Sequence, residues 1–444
     1  MINMPKFIID EQTIKDIQLK DLNGRSVFDF FDETITEGAH YFLKEWFYDP
    51  IINKQSIEER QIKIRRLEPL AQEDFPFHRV ILKDIEKFVK ASHSGATASL
   101  SLLDFLGIQS PIYYYKKRNI LETTEFLLQS HIFYKKINAV QHYDDVQVMI
   151  DKIQSYLSKV FKNGDYDVEK LKVNIFNIET YERMIRYEFS NVIKEAIKFF
   201  YEIDALLAVA KVSRRNGFSY PVLHEKNSTG KIKMTGLYHI FHKNPVRNDV
   251  ELSQEKRLWF LTGANMAGKS SIIKSISAAV YLTHIGFPVP ADTLETDIID
   301  GLFTSVNLQD NLELGYSHFY VEAIRLKEIM DQIEPSSNAL VILDELFKGT
   351  NHSDASQAIL EVMRYLDEIK GPFVIVSSHI TELSEQLKSF PSIAFMKMKI
   401  DGDEEGLPVF TYKITQGIAE ERLGMWLLKR SGVFESLNKL VPKN

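Results

Sequence analysis

At 444 residues, with 44% hydrophobic and 26% charged side chains, the chain is large enough for about three domains and ordinary for a globular protein with a real core. A formal net charge of −7 argues against a protein that wraps nucleic acid through overall positive charge. There is no run of about 18 apolar residues to cross a membrane, no apolar core of a signal peptide at the start, and no cysteine for disulfides or thiolate metal sites, so a cytoplasmic protein is expected.

Residues 1–30 read as an N-terminal extension, in which 12–26 are polar and connect or cap. From Phe28 to Leu67 the pattern is helical, broken near Pro50. Ser56 is the expected N-cap of the second helix, with Glu59 three residues on as the other half of a capping box and Pro69 as its end. Residues 80–160 read as mostly helical. Within them, Tyr113-Tyr114-Tyr115-Lys116-Lys117-Arg118 is either a base-stacking, phosphate-neutralising surface or a packed helix with a solvated basic edge. Apolar residues three and four apart, among them Ile185, Phe189, Ile193, Ile197, Phe200 and Leu207, predict a long helix over 178–215. Asn216-Gly217 ends it, and a domain boundary is expected near 215–235.

From 236 onward strands and helices alternate, which predicts βαβ units and a mainly parallel sheet. Leu258–Thr262 is an apolar strand, followed by Gly263-Ala264-Asn265-Met266-Ala267-Gly268-Lys269-Ser270 and then a helix over 269–285. The eight residues fit the phosphate-binding loop G-x-x-x-x-G-K-[ST] at every fixed position. Backbone N–H groups and a helix N-terminus converge there on a phosphate chain. Lys269 is placed to reach the β- and γ-phosphates and the Ser270 hydroxyl to ligate Mg²⁺. Leu340–Leu343 is a second apolar strand that ends in Asp344-Glu345. At the carboxyl end of a parallel strand, Asp344 would hold Mg²⁺, and Glu345 would orient and polarise the attacking water. Ser353–Glu368 is predicted helical. A third strand, Phe373–Ser378, ends at His379, either a contact for the γ-phosphate or attacking water, or a surface histidine. No two histidines lie four residues apart, which argues against a zinc site.

Together these segments resemble the ATPase domain of the MutS mismatch-repair family. The family's G-P-N-M-G-G-K-S-T loop is matched by Gly263, Asn265, Met266, Gly268, Lys269 and Ser270, with small replacements at Ala264, Ala267 and Ser271. Its G-x-S-T-F signature is matched by Gly315, Ser317 and Phe319, its strand-end D-E and following G-T by Asp344, Glu345, Gly349 and Thr350, and its T-H by Ser378-His379. Phe410, Tyr412-Lys413, Gly417 and Gly424 fall at its late-strand spacing. Thr34, Gly38, Leu43, Trp46, Pro50, Ile57 and Arg60, and later Glu202, Asp204, Leu207, Ala210 and Tyr220-Pro221, are similar to its helical core and lever.

The resemblance implies an α/β P-loop NTPase of ABC type over 221–444, preceded by an all-α core and lever domain over 31–220. It implies ATP and Mg²⁺ as ligands, a homodimer through the ATPase domains, and Ser317 acting in trans on the γ-phosphate. It also implies DNA as substrate, with repair or recombination proteins as partners and no membrane. Departures are plain. Only about 30 residues precede the core, where the family carries its mismatch-reading domain. Phe31-Asp32-Glu33 spells that domain's wedge motif by coincidence. The aromatic that stacks on adenine aligns with Pro245, leaving Phe241 or His239 for that task. Phe347-Lys348 replaces a usual Gly-Arg. The alternative is an ATP-driven switch acting on a protein or RNA assembly such as the ribosome.

Overall fold

The computed structural model describes residues 6–20, 26–71, 79–90, 104, 110–140, 144–162, 164–264, 266–306, 318–334, 337–402, 408–419, 431–434 and 436. They fall into two compact units, one drawn from 1–28, 49–61 and 216–444 and the other from 29–48 and 62–215. In chain order the elements are β1 (Ile8–Ile9), α1 (Glu11–Asp16), α2 (Val27–Phe31), α3 (Glu37–Tyr48), α4 (Lys54–Leu67), α5 (Arg79–Lys90), α6 (Pro111–Val140), α7 (Asp144–Val160), α8 (Ile178–Arg183), a π turn (Met184–Glu188) and α9 (Ser190–Asn216). There follow β2 (Val222–His224), β3 (Lys231–Leu237), β4 (Asn248–Ser253), β5 (Leu258–Thr262), α10 (Lys269–His284), β6 (Thr293–Asp297), β7 (Gly301–Ser305) and α11 (His318–Gln332). The last are β8 (Ala339–Leu343), α12 (His352–Glu368), β9 (Phe373–Ser378), α13 (Leu383–Leu387), β10 (Ile393–Gly402) and β11 (Pro408–Gln416).

In the first unit the described strands form a sheet of order β1-β7-β8-β9-β5-β10-β11, parallel except for the antiparallel β10–β11 pair. A smaller sheet has the order β2-β6-β3-β4. Every residue of β5, β7, β8 and β9 is buried, as continuous apolar runs in a parallel sheet require. Their alternate residues Phe260, Val341 and Val374 share one core with Ile329, Ile359, Met363 and Leu387 of α11, α12 and α13. Between Ile272 and His284 of α10, only Lys274 escapes burial. This unit is therefore mixed α/β with a mainly parallel sheet.

Two local expectations are corrected. Residues 12–26 do more than connect. The Asp10 side chain accepts from Thr13 N at 2.8 Å and starts α1, and β1 pairs with β7 in parallel. Thr13 Oγ1 accepts from Thr304 N at 2.9 Å, and Asp16 accepts from Thr304 Oγ1 and Val306 N, each at 2.8 Å. Arg325 clamps Asp10 with two bonds of 2.7 and 3.0 Å and also reaches Thr304 O at 2.6 Å. The cap of α4 is Asn53, not Ser56. Asn53 Oδ1 accepts from Ser56 N at 2.9 Å and from its hydroxyl at 3.0 Å, so the helix begins three residues earlier, at Lys54.

In the second unit every described element is helical. Its core is aromatic, with edge-on pairs Phe126–Phe200 at 5.7 Å, Tyr134–Phe199 at 5.1 Å and Tyr156–Phe189 at 5.3 Å. Buried Asp204 on α9 accepts from Thr36 N at 2.8 Å and Thr36 Oγ1 at 2.7 Å, which pins the turn before α3. The long helix predicted over 178–215 is interrupted where Phe189 N bonds Met184 O at 2.8 Å, an i to i+5 link that widens one turn. The Tyr113–Arg118 run resolves as a packed face. Tyr113 and Lys116 are buried, and the Lys116 ammonium meets Glu179 at 2.8 Å and Glu182 at 2.7 Å. Arg118 bonds Glu122 at 2.7 Å. With two of its three cations paired to carboxylates, the segment offers little charge to phosphates.

Candidate nucleotide site

Two sequence motifs that lie 74 residues apart meet at the carboxyl ends of the parallel strands, where Ser270 Oγ donates to Asp344 Oδ2 at 2.7 Å. The sheet order explains the meeting. β5 carries the glycine-rich loop, β8 carries Asp344-Glu345, and β9 lies between them. The loop's backbone is left-handed at Gly268, with φ of 101°, and at Met266, with φ of 72°. A Cβ on Gly268 would sit 3.1 Å from the Tyr412 ring, so glycine meets both the dihedral and the space. Lys269 is buried, and its ammonium bonds Gly263 O at 2.7 Å and Ala264 O at 3.3 Å. Burial pulls its pKa below the usual lysine range, against the attraction of Glu345 and Asp344.

Ser377, near the end of β9, ties the Asp344 carboxylate to the Glu345 backbone. It is fully buried; its hydroxyl donates to Asp344 Oδ1 and accepts the Glu345 N–H at 3.0 Å. Glu345 and Phe347 both hold left-handed backbone, with φ of 51° and 61°, uncommon for residues with side chains and frequent at functional turns. Lys348 Nζ lies 3.4 Å from Glu345 Oε2.

Beside the loop opens a cavity of about 590 Å³, lined by Ala264, Met266, Gly268, Lys269, Ser270, Ser271 and Glu345 at one end. Its other walls include Tyr238, His239, His242, Pro245 and Tyr412. β11 is held over it by Asn248 on β4, which donates to Tyr412 O at 3.1 Å and accepts from Ile414 N at 2.8 Å. The β10–β11 register slips between Met398 and Ile400, and Tyr412 stands in that irregularity with φ of 55°. Burial, with His242 and Lys274 nearby, lowers the His239 pKa to about 4, so its ring is neutral at physiological pH.

The expected site residues therefore divide. Gly263, Ala264, Met266, Gly268, Lys269, Ser270, Ser271, Asp344 and Glu345 come together, while Ala267 is buried beneath the loop. His379 is exposed at the end of β9 and is not part of the cavity wall. Asn265 and Ser317 lie outside the described residues. His239 lines the cavity, but Phe241 does not; it turns toward a separate small hollow with Ile17 and Val27. Sequence reasoning missed Ser377, Tyr238 and Tyr412 as site residues. For Ser377 the available signal was register, since Leu343 pairs with Val376 and the next residues of both strands face each other.

The donor set fits the ligands that the loop implies. A cavity of this size, a lysine held at the loop and a ring-lined far wall suit a nucleotide. A hydroxyl and a carboxylate 2.7 Å apart suit Mg²⁺, which takes one or two protein oxygens and completes its shell with phosphate and water. Among the described residues there is no group of three or more His, Cys, Asp or Glu poised as a self-sufficient metal cage.

Comparison with known proteins agrees with this geometry. Residues 259–439 match the model of MutS domain V, the P-loop ATPase domain of its family. The chain is 22% identical to the DNA mismatch repair protein MutS of Petrotoga mobilis over 96% of its own length and 63% of that protein's. It is 25% identical to MutS of Aquifex pyrophilus, over 98% of the chain and 48% of the relative. It is 30% identical to DNA mismatch repair protein MSH3 of Candida glabrata, over 55% of the chain and 24% of the relative. The chain thus spans less than two thirds of each relative's length. On the domain match, residues 259–439 carry the MutS family's domain V, and the chain is similar to MutS proteins over nearly all of its residues.

Proposed function

We propose that the chain is a MutS-type ATPase that binds Mg·ATP in the cavity beside Gly263–Ser270 and hydrolyses it. The observation that carries this reading is the 2.7 Å bond between Ser270 and Asp344, which joins the phosphate loop to the strand-end carboxylates. Lys269 leaves the loop carbonyls for the β- and γ-phosphates. Ser270 and Asp344 would hold Mg²⁺, which when bound neutralises phosphate charge. Glu345 accepts the proton of the water that attacks the γ-phosphorus, and ADP and phosphate leave. His379 lies outside the cavity wall, so its contact with the γ-phosphate or the attacking water requires the site to close around the nucleotide. The rings of Tyr238, His239 and Tyr412 supply the stacking surface that Pro245 cannot.

In this reading the working form is a homodimer in which Ser317 of a second copy completes each site. ATP binding and hydrolysis close and reopen that dimer, and the helical unit converts the motion into a changed grip on duplex or branched DNA during repair or recombination, with other repair proteins as partners, in the cytoplasm. The relatives named above support DNA as substrate. A second reading, a switch acting on a protein or RNA assembly such as the ribosome, is favoured by the net charge of −7 and by the carboxylate-paired cations of the Tyr113–Arg118 run.

The test is ATP turnover by wild type and Glu345→Gln, with and without duplex or branched DNA. Turnover should collapse in the variant and respond to DNA in the wild type. Equal turnover in both would remove the catalytic assignment; indifference to every DNA at low salt, with co-purifying ribosomes, would select the second reading.

A further inference from the structure

The last residues of β7 are held from outside the sheet by side chains rather than by a strand. Among the described residues, β1 pairs with β7 only at Gly301 and Leu302. The chain then turns into α1, and side chains take over the outer edge. Thr13 Oγ1 accepts the Thr304 N–H at 2.9 Å, and Arg325 donates to Thr304 O at 2.6 Å. One oxygen of Asp16 accepts both the Thr304 hydroxyl and the Val306 N–H, each at 2.8 Å. Its other oxygen accepts from Gln12 Nε2 at 2.8 Å. Thr13 and Thr304 are fully buried, and Asp16 is only 6% exposed. A buried carboxylate is costly unless its oxygens are used, and both oxygens of Asp16 are.

Thr304 and Val306 turn their N–H groups outward to α1, and between them Ser305 turns its carbonyl inward to β8. There it accepts the Asp344 N–H at 2.9 Å, just past the Ser305–Leu343 pair that ends the β7–β8 ladder. Asp344 is the carboxylate that Ser270 bonds at 2.7 Å. The joined residues 304–306 therefore carry Asp16 on one side and the backbone of Asp344 on the other. We propose that Asp16 is a positioning residue for the Mg²⁺ site, fixing the end of β7 so that the Ser305 carbonyl holds Asp344 in place against Ser270. The proposal rests on the reading of Ser270 and Asp344 as the metal pair and goes beyond it. Asp16 does not line the nucleotide cavity, and it lies outside residues 259–439 that match the ATPase domain.

The role separates from a merely structural one by where the loss falls. Affinity for a slowly hydrolysed ATP analogue is measured by calorimetry on the full chain, with Mg²⁺ and with EDTA, and ATP turnover is titrated with Mg²⁺. The ratio of the two affinities reads the metal's share of binding without any hydrolysis. The proteins are wild type, Asp16→Ala, Asp16→Asn, Thr13→Val, Asp344→Asn and the double variant Asp16→Ala/Asp344→Asn. Losing a partner of a metal ligand commonly costs 10- to 100-fold in metal affinity or activity. Asp16 stands further out than such a partner, so Asp16→Ala should raise the Mg²⁺ needed for half-maximal turnover about 10-fold and shrink the affinity ratio by a similar factor, with affinity in EDTA within about twofold. Asp16→Asn keeps an oxygen for the two β7 donors, and its amide can meet a flipped Gln12, so it should recover most of the loss. Thr13→Val is isosteric and removes the acceptor of the Thr304 N–H. It should shift the Mg²⁺ requirement in the same direction by a smaller factor, and it carries the test should Asp16→Ala not fold. Because Asp16 acts through Asp344, the double variant should show an affinity ratio no smaller than that of Asp344→Asn. A wild-type Mg²⁺ requirement in Thr13→Val, and in Asp16→Ala where it folds, beside a loss in Asp344→Asn, overturns the positioning role only. So do losses that multiply in the double variant, or an affinity in EDTA that falls as far as the affinity with Mg²⁺. A wild-type affinity ratio and Mg²⁺ requirement in Asp344→Asn removes the metal assignment and this proposal with it.

Discussion

Ser377→Ala is the perturbation that asks most of the site geometry. The hydroxyl it deletes is fully buried and does two things at once, donating to Asp344 Oδ1 and accepting the Glu345 N–H at 3.0 Å. Its removal leaves one oxygen of a carboxylate and one strained peptide N–H without their partner. A hydrogen bond to a charged group is worth about 1.5–3 kcal/mol. If that stabilisation is felt mainly where the metal-binding and water-activating carboxylates must be aligned, the barrier rises by a similar amount, which is about 10- to 100-fold in kcat. The loop itself, from Gly263 to Ser270, does not touch Ser377 through any hydrogen bond among the described residues, so nucleotide affinity in the absence of Mg²⁺ should be unchanged. Steady-state ATP turnover titrated with Mg²⁺ reads both effects: kcat falls, and the Mg²⁺ needed for half-maximal rate rises as Asp344 loses its anchor. Turnover within twofold of wild type at every Mg²⁺ concentration would refute the view that Ser377 holds the Asp344 carboxylate and the Glu345 backbone in place.

Three further outcomes are expected. Lys269→Ala should weaken ATP binding by more than about 100-fold, since it deletes the one buried ammonium at the loop; calorimetry with a slowly hydrolysed ATP analogue checks it, and unchanged affinity refutes the role. His284 donates through Nδ1 to Val280 O and accepts the Ile299 N–H at Nε2, and burial lowers its pKa to about 4. The stability it contributes is therefore complete above its unfolded pKa of about 6.5 and is lost as pH falls toward 4, about 2 kcal/mol by pH 5. Urea unfolding at pH 7.5 and pH 5 should show a smaller acid loss in His284→Gln, and equal losses would exclude His284 as the cause. Asp204→Ala should destabilise the helical unit by roughly 1–3 kcal/mol, because it strands the Ile35 and Thr36 N–H groups; a melting temperature within a degree of wild type would contradict this.

How much of this was legible in the sequence depended on how local each signal was. β5, β8 and β9 could be read because a doubly covered strand is a continuous apolar run, and the phosphate loop could be read because its residue types are set by backbone and phosphate within eight positions. The N-terminal strand could not. Two isoleucines carry no period, and what makes them a strand is β7 in another part of the chain. The helix start at Asn53 was missed because Ser56 and Glu59 also satisfy a capping pattern, and only the direction of the Asn53 side chain decides between them. Tyr412 and Ser377 were hidden for a related reason. One is aimed by an irregularity in β11 and the other by the register of β9, and neither has a signature within its own neighbours. The Tyr113–Arg118 run left two readings open, a packed helix or a phosphate-binding surface, because the neutralising partners Glu179 and Glu182 that decide for the packed helix come from a later helix.

The welding of the first described residues to β7 bears on how the protein is made. Thr13 and Thr304 are 291 residues apart, and at about 5–20 residues per second a ribosome needs roughly a quarter of a minute to a minute between them. For that interval Ile8, Ile9 and the α1 turn are outside the tunnel with no sheet to join. The large sheet therefore cannot close in the order of translation: β1 at one edge, though made before its other strands, docks only after β7 has emerged.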